Sequence, residues 1–363
     1  MTNDSGITAV SPRGHVETGE AERRRAARSD DAPEGAAEPA MTSARVPGAD
    51  GQTTRRRPTD LPGVLLLAGL SIVWLAGMLW TARASIRSAG DASVAIFLAA
   101  YSLPAVISAS LVGGAAVGLA VLDQLAVPLR TRPTSRSLVA AGMGLVTGLA
   151  AAGVITLSYG SGSAIMVLGG TVAAAATVGG ALSSVRATQI VAASVVASLC
   201  VFVVRVLFQP FHGGLMSLYG AGPSGASQKS ASGLFAATVA VTSALIAGYL
   251  AYRYLRRTAR HTRPEPRWPA YLAAGSGAGV MLLLSEALVR IAGGPVLSLA
   301  KSQSEIDAAG LAWLDGSRIN YGLVVLFVGA ITALIAFGRT LPGPTSARTP
   351  DEESANGEAD AVD

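Results

Sequence analysis

Half of the 363 residues are hydrophobic and only 14% are charged, well below the roughly one quarter expected of a soluble domain. Nine Arg and ten Asp or Glu fall in the first 60 residues, and two Arg and six acids in the last 25, which leaves seven acidic residues for the 278 between. A stretch so poor in charge cannot form a water-facing surface; in lipid its backbone must be satisfied internally, by helices or by a closed barrel.

Apolar runs of about 20 residues without two-residue alternation select helices, because barrel strands alternate over segments of about ten residues. The expected fold is all-α, a polytopic integral membrane bundle of about eight transmembrane helices. Residues 1–60 are rich in Ala, Glu, Arg, Pro, Gly, Ser and Thr and lack the apolar surface needed to fold, so a disordered cytoplasmic tail is expected there. They contain no apolar signal-peptide region. The triplet Arg55-Arg56-Arg57, just before the first span, suits anionic headgroups.

The transmembrane domain, residues 61–338, is expected to hold spans at 61–82, 93–122, 137–157, 163–182, 188–208, 233–255, 269–291 and 319–337. Trp74 and Trp80 fall in the second half of the first span. Trp268 marks the interface before the seventh, with Pro269 at a first-turn position that tolerates proline. Residues 339–363 form an acidic tail expected to be disordered. With the N-terminus inside, 21 basic residues face the cytoplasm and 7 the outer side, the bias expected of cytoplasmic loops. That predicts both termini inside. The basic residues thus follow topology, which leaves no call for nucleic acid; the partner they imply is the lipid bilayer. The Ala, Gly, Val and Arg bias suggests a high-GC bacterial gene and hence the plasma membrane.

Span two is longer than a bilayer needs and contains Pro104, which removes a backbone donor and is expected to kink or break the helix, a helix break or hinge. Glycine pairs four apart, Gly114 and Gly118, Gly144 and Gly148, Gly275 and Gly279, predict close helix packing. A short echo links Ala140-Ala141-Gly142-Met143-Gly144 to Ala273-Ala274-Gly275-Ser276-Gly277, as in transporters built from parallel repeats.

Ionisable residues within spans need a partner, water or the interface. Glu286 and Arg290 are one turn apart on span seven and are expected to form an ion pair. Arg205 lies near the outer end of span five. If spans five and seven face one cavity, Glu286, Arg290 and Arg205 form an outward-facing substrate or ion-binding site. Asp123 reads as an interfacial residue, and Cys200 as a packed thiol with no disulfide partner. Two outer loops are long. The one over 208–230 mixes Gly, Pro and aromatics, and the one over 294–318 carries Ser302 and Glu305 at capping-box spacing. The latter predicts a short surface helix with Trp313 at the headgroups.

No phosphate-binding loop or His-Glu-x-x-His occurs, and no span or loop carries paired acids of the Asp-x-x-Asp type, so the residues call for no metal or cofactor and nothing recommends an enzyme. Two readings follow: a permease- or flippase-like transporter using Glu286, or a non-catalytic membrane subunit or scaffold of an envelope or division complex, recruiting a membrane or cytoplasmic protein partner.

Overall fold

The structure is a computed structural model that describes residues 63–88, 92–125, 133–159, 163–260, 266–294, 298 and 305–340. Both expected tails lie outside these residues, apart from Arg339 and Thr340. Among the described residues the secondary structure is helical throughout. The long helices are α1 (Val64–Arg87), α2 (Ala92–Gln124), α3 (Pro133–Tyr159), α4 (Ser163–Ser183), α5 (Thr188–Phe208), α7 (Gly225–Ala259), α8 (Trp268–Ala292) and α9 (Glu305–Gly338), with a short α6 (His212–Leu218) between α5 and α7. Eight of them are long and apolar enough to cross a membrane, so the described residues form an all-helical bundle whose helices fit a multi-pass membrane protein.

The expected spans match these helices, the first beginning at Val64 rather than at 61, with three further corrections. First, the region around 208–230 is folded rather than a loop. A 3-10 turn (Gln209–Phe211) leads into α6, and α6 ends on Gly220 at φ 81°, with Ala221 N donating to Met216 O and Gly220 N to Ser217 O, a Schellman closure that needs the left-handed residue. The hydroxyls of Tyr219 and Thr238 hydrogen-bond at 2.8 Å, and His212 meets Phe235 edge-on, which folds α6 back on α7. Second, α7 begins at Gly225, eight residues before the expected start of its span, because Ser224 caps it. The Ser224 hydroxyl accepts from Ser227 N at 3.2 Å. Ser224→Ala is expected to cost about 1 kcal/mol locally and to speed amide hydrogen exchange in the first turn of α7 while leaving the middle of the helix unchanged. Third, the short surface helix expected before span eight is not separate. Glu305–Gly338 is one helix, about 51 Å long at 1.5 Å per residue, so the segment that holds Trp313 continues the span. Ser302, the other half of the expected capping box, lies outside the described residues.

α2 runs unbroken through Pro104, which is buried. The helix is continuous there for a physical reason: proline in a span is tolerated where neighbouring elements enclose the freed backbone, and Leu103, Ile107 and Ala100 around it are packed against α4 and α8.

The helices fall into two groups with the same packing order. In the first, α1 lies on α2, α3 runs along α4, and α4 also packs on α2; in the second, α5 lies on α7, α8 runs along α9, and α9 also packs on α7. The seam between the groups is formed mainly by α2 against α8 and α5. Glycine makes both groups close. Gly144 and Gly148 of α3 approach Gly180, Ala176 and Ala173 of α4, and Gly275 and Gly279 of α8 approach Gly329 and Leu326 of α9. The equivalent pairs are thus 144/148 and 275/279. The sequence echo, in contrast, sets Gly142 against Gly275, yet Gly142 has open space beside it while Gly275 meets Gly329 and Ala333. The two groups share their main helix pairings, although α5 packs on α8 far more than α1 does on α3, and the echoed pentapeptides are offset by two residues from the structural match.

Candidate functional site

The last turns of α8 are anchored on the first group. Val289 is buried with Leu103, Ile107 and Ala175, a Cβ on Gly293 would press on Leu103, and Thr171 Oγ1 donates to Val167 O (2.7 Å) with Ala292 O at 3.3 Å. One turn earlier on that face is Glu286, whose residue is 6% exposed. A carboxylate buried at this depth needs a counter-charge. Arg290 supplies it: its Nε donates to Glu286 Oε1 at 3.2 Å, while its side chain stays 51% exposed. Glu286 and Arg290 therefore meet as the i, i+4 spacing predicts.

Arg205 does not join them. It is exposed on α5, and among the described residues the ion pair of Glu286 is with Arg290. Another arginine, on α9, is set at a similar depth by the register of the helices. α8 and α9 run antiparallel with Gly275 level with Gly329, Gly279 with Leu326 and Leu283 with Gly322. One turn further, the same register brings half-buried Arg318 level with Glu286. The sequence held the cue, an arginine four residues before Gly322, but read as part of an outer loop it had no depth in the bundle.

At the seam, a crevice between α2, α5 and α8 is lined by Ser108, Val112, Ser198, Val201, Phe202, Met281 and Leu282 and is too narrow for a water molecule. Its two hydroxyls are turned into their own helices, Ser108 to Ala105 O at 3.0 Å and Ser198 to Ser194 O at 2.8 Å. Phe202, on its wall, stacks on Trp74 of α1 with centroids 5.3 Å apart. On that face of α1 the Ser71 hydroxyl and the Trp74 indole N–H are buried without a hydrogen-bond partner among the described residues. Cys200 is half-buried and free. Asp123 is half-buried at the end of α2.

Chemically the Glu286 region is a buried carboxylate paired with the half-exposed guanidinium of Arg290. Such an arrangement can hold an exchangeable proton or cation on the acid and an anion on the arginine. Compared with known protein families, with curated proteins and with solved structures, the chain shows no match.

Proposed function

We propose that the chain is a permease- or flippase-like transporter of the plasma membrane, with both termini in the cytoplasm. In this reading Glu286 carries the coupling proton or cation, and the arginines at its end of the bundle engage an anionic substrate. The observation that carries it is the buried Glu286 carboxylate joined to half-exposed Arg290, because an ionisable residue kept within a span is costly and marks an ion or substrate path. Two supports stand beside it. The two helix groups share one packing order about a seam, as in transporters whose halves rock about a central site. The excess of arginine at the opposite ends of the spans orients the Glu286 end outward.

The test is a lipid-transfer assay in proteoliposomes, with fluorescent phosphatidylglycerol as the anionic amphiphile and an imposed pH gradient. Wild-type protein is expected to move the probe faster than empty vesicles in a gradient-dependent way, and Glu286→Gln to lose the dependence. Transfer by wild type equal to that of empty vesicles contradicts the flippase form of the reading; gradient-dependent transfer that survives Glu286→Gln removes the role of Glu286.

The second reading, a non-catalytic subunit or scaffold of an envelope or division complex, is favoured by the backbone-close packing throughout both groups. It predicts a stoichiometric protein partner in mild-detergent purification and loss of that partner on deletion of residues 1–55, a deletion that leaves a transporter's core activity intact.

A further inference from the structure

We infer that the end of the bundle formed by the C-terminus of α7, the N-terminus of α8 and the C-terminus of α9 is a binding surface for the headgroups of anionic phospholipids. The inference is independent of the transport reading. Arg253, Arg256 and Arg257 of α7 and Arg260 at its C-cap are spaced i, i+3, i+4 and i+7 and therefore share one face. Arg253, Arg257 and Arg260 are exposed and Arg256 is half-buried. Arg256 is also positioned in advance: its Nη1 donates to the Tyr252 hydroxyl at 2.7 Å, and its guanidinium carbon lies 5.9 Å from the centroid of the Tyr252 ring.

An aromatic chain ties the three helix ends together. Tyr252 meets Tyr271 of α8 at 5.7 Å between centroids, and Tyr271 stacks on Phe337 of α9 at 4.6 Å. Two more arginines thereby come to this end, Arg267 at the N-cap of α8 and Arg339 just past α9, both exposed. Among the described residues α7 contains no Asp or Glu, the acids of α8 and α9 sit toward the opposite ends of those helices, and at this end the arginines outnumber the acids, of which Asp123 at the end of α2 is half-buried near Tyr254.

The helix dipole at the end of α7 offsets part of this charge, but guanidinium groups one turn apart on an exposed face repel each other. An anion spanning them removes that repulsion. The occupant is a lipid because of where the stripe sits. It closes an apolar helix of 35 residues, about 52 Å long against a hydrocarbon core of about 30 Å, so its last turns emerge at headgroup level. Trp268 beside it is 56% exposed, as aromatic residues at a membrane interface are.

The experiment uses the full chain, purified in a neutral detergent and depleted of lipid. Phosphatidylglycerol is expected to raise the melting temperature, phosphatidylcholine at the same concentration to leave it nearly unchanged, and native mass spectrometry to retain phosphatidylglycerol on the protein. The variant carrying Arg253→Gln, Arg256→Gln, Arg257→Gln and Arg260→Gln is expected to retain the lipid about tenfold less or weaker still. Equal responses to the two lipids overturn the proposal on wild-type protein alone, whatever the variant's folding. So does a response to inorganic phosphate equal to that of phosphatidylglycerol, which assigns the surface to a soluble anion, and so does undiminished lipid retention by the folded variant.

Discussion

Gly179→Ala is expected to lower the thermal midpoint of the purified protein sharply, and Gly179→Leu to yield no monodisperse protein. A Cβ at Gly179 would overlap the Leu111 carbonyl and stand 2.9 Å from Ala115 N on α2. From the other side, a Cβ at Gly114 would overlap the Ala176 carbonyl of α4. Both obstacles are backbone, so neither can swing aside as a side-chain tip would. Forcing extra atoms into such a contact costs about 1–3 kcal/mol for a single methyl group, and the four carbons of leucine require the helices to separate. The control is Gly170 on the same helix, which has open space beside it. There alanine removes the helix penalty of glycine, up to about 1 kcal/mol, and Gly170→Ala is expected to be neutral or mildly stabilising. Equal midpoints for Gly179→Ala and Gly170→Ala would contradict the α2–α4 contact.

The second large effect concerns the ion pair, and it is asymmetric. Glu286 is buried, with its side chain 7% exposed, whereas Arg290 is 51% exposed. Arg290→Leu strands a buried carboxylate. Breaking a fully buried pair costs about 3–5 kcal/mol, and solvent screening of the half-exposed arginine reduces the expected loss here to about 1–3 kcal/mol. Glu286→Gln leaves a guanidinium that reaches water or headgroups along its own stem, for a loss below about 1 kcal/mol. Combining the two changes is expected to recover most of the loss caused by Arg290→Leu, a coupling that a double-mutant cycle of thermal midpoints reads directly. The reverse order would mean that Glu286 is held by another group, and Arg318, level with it in the α8–α9 register, is the first to replace.

The apolar runs made the bundle legible from sequence because the energetic demand of lipid falls on residue type and length alone. Span five was read at 188–208, the bounds of α5. Where helices leave the hydrocarbon, that demand ends. The start of α7 was missed because a helix in water needs caps and propensity rather than apolar residues, and Gly225–Ser232 carries no hydropathy signal; the helix from Glu305 was legible from its capping residues, but not its continuity with span eight. The glycine pairs were equally legible, but not their partners. Gly114 and Gly118 of α2, and Gly144 and Gly148 of α3, all turn toward α4, which depends on how each helix is rotated about its axis.

The site divides in the same way. The Glu286–Arg290 pair lies within one helix, so its geometry follows from 3.6 residues per turn. Arg205 and Arg318 sit on other helices. Rotation of α5 leaves Arg205 exposed, and the register of α9 sets the depth of Arg318 in the bundle. Neither quantity is written in a local sequence pattern.

The account rests on eight crossings with both termini inside, and the single cysteine of the chain makes this directly measurable. In a Cys200→Ala background, Ala187→Cys places a thiol in the turn between α4 and α5, and Ala226→Cys places one in the first turn of α7, both at exposed positions. A membrane-impermeant maleimide applied to intact cells is predicted to label the thiol at position 226 at once, and the thiol at position 187 only after permeabilisation. Labelling of both from outside, or of position 187 alone, would contradict the crossing pattern and with it the outward placement of Glu286.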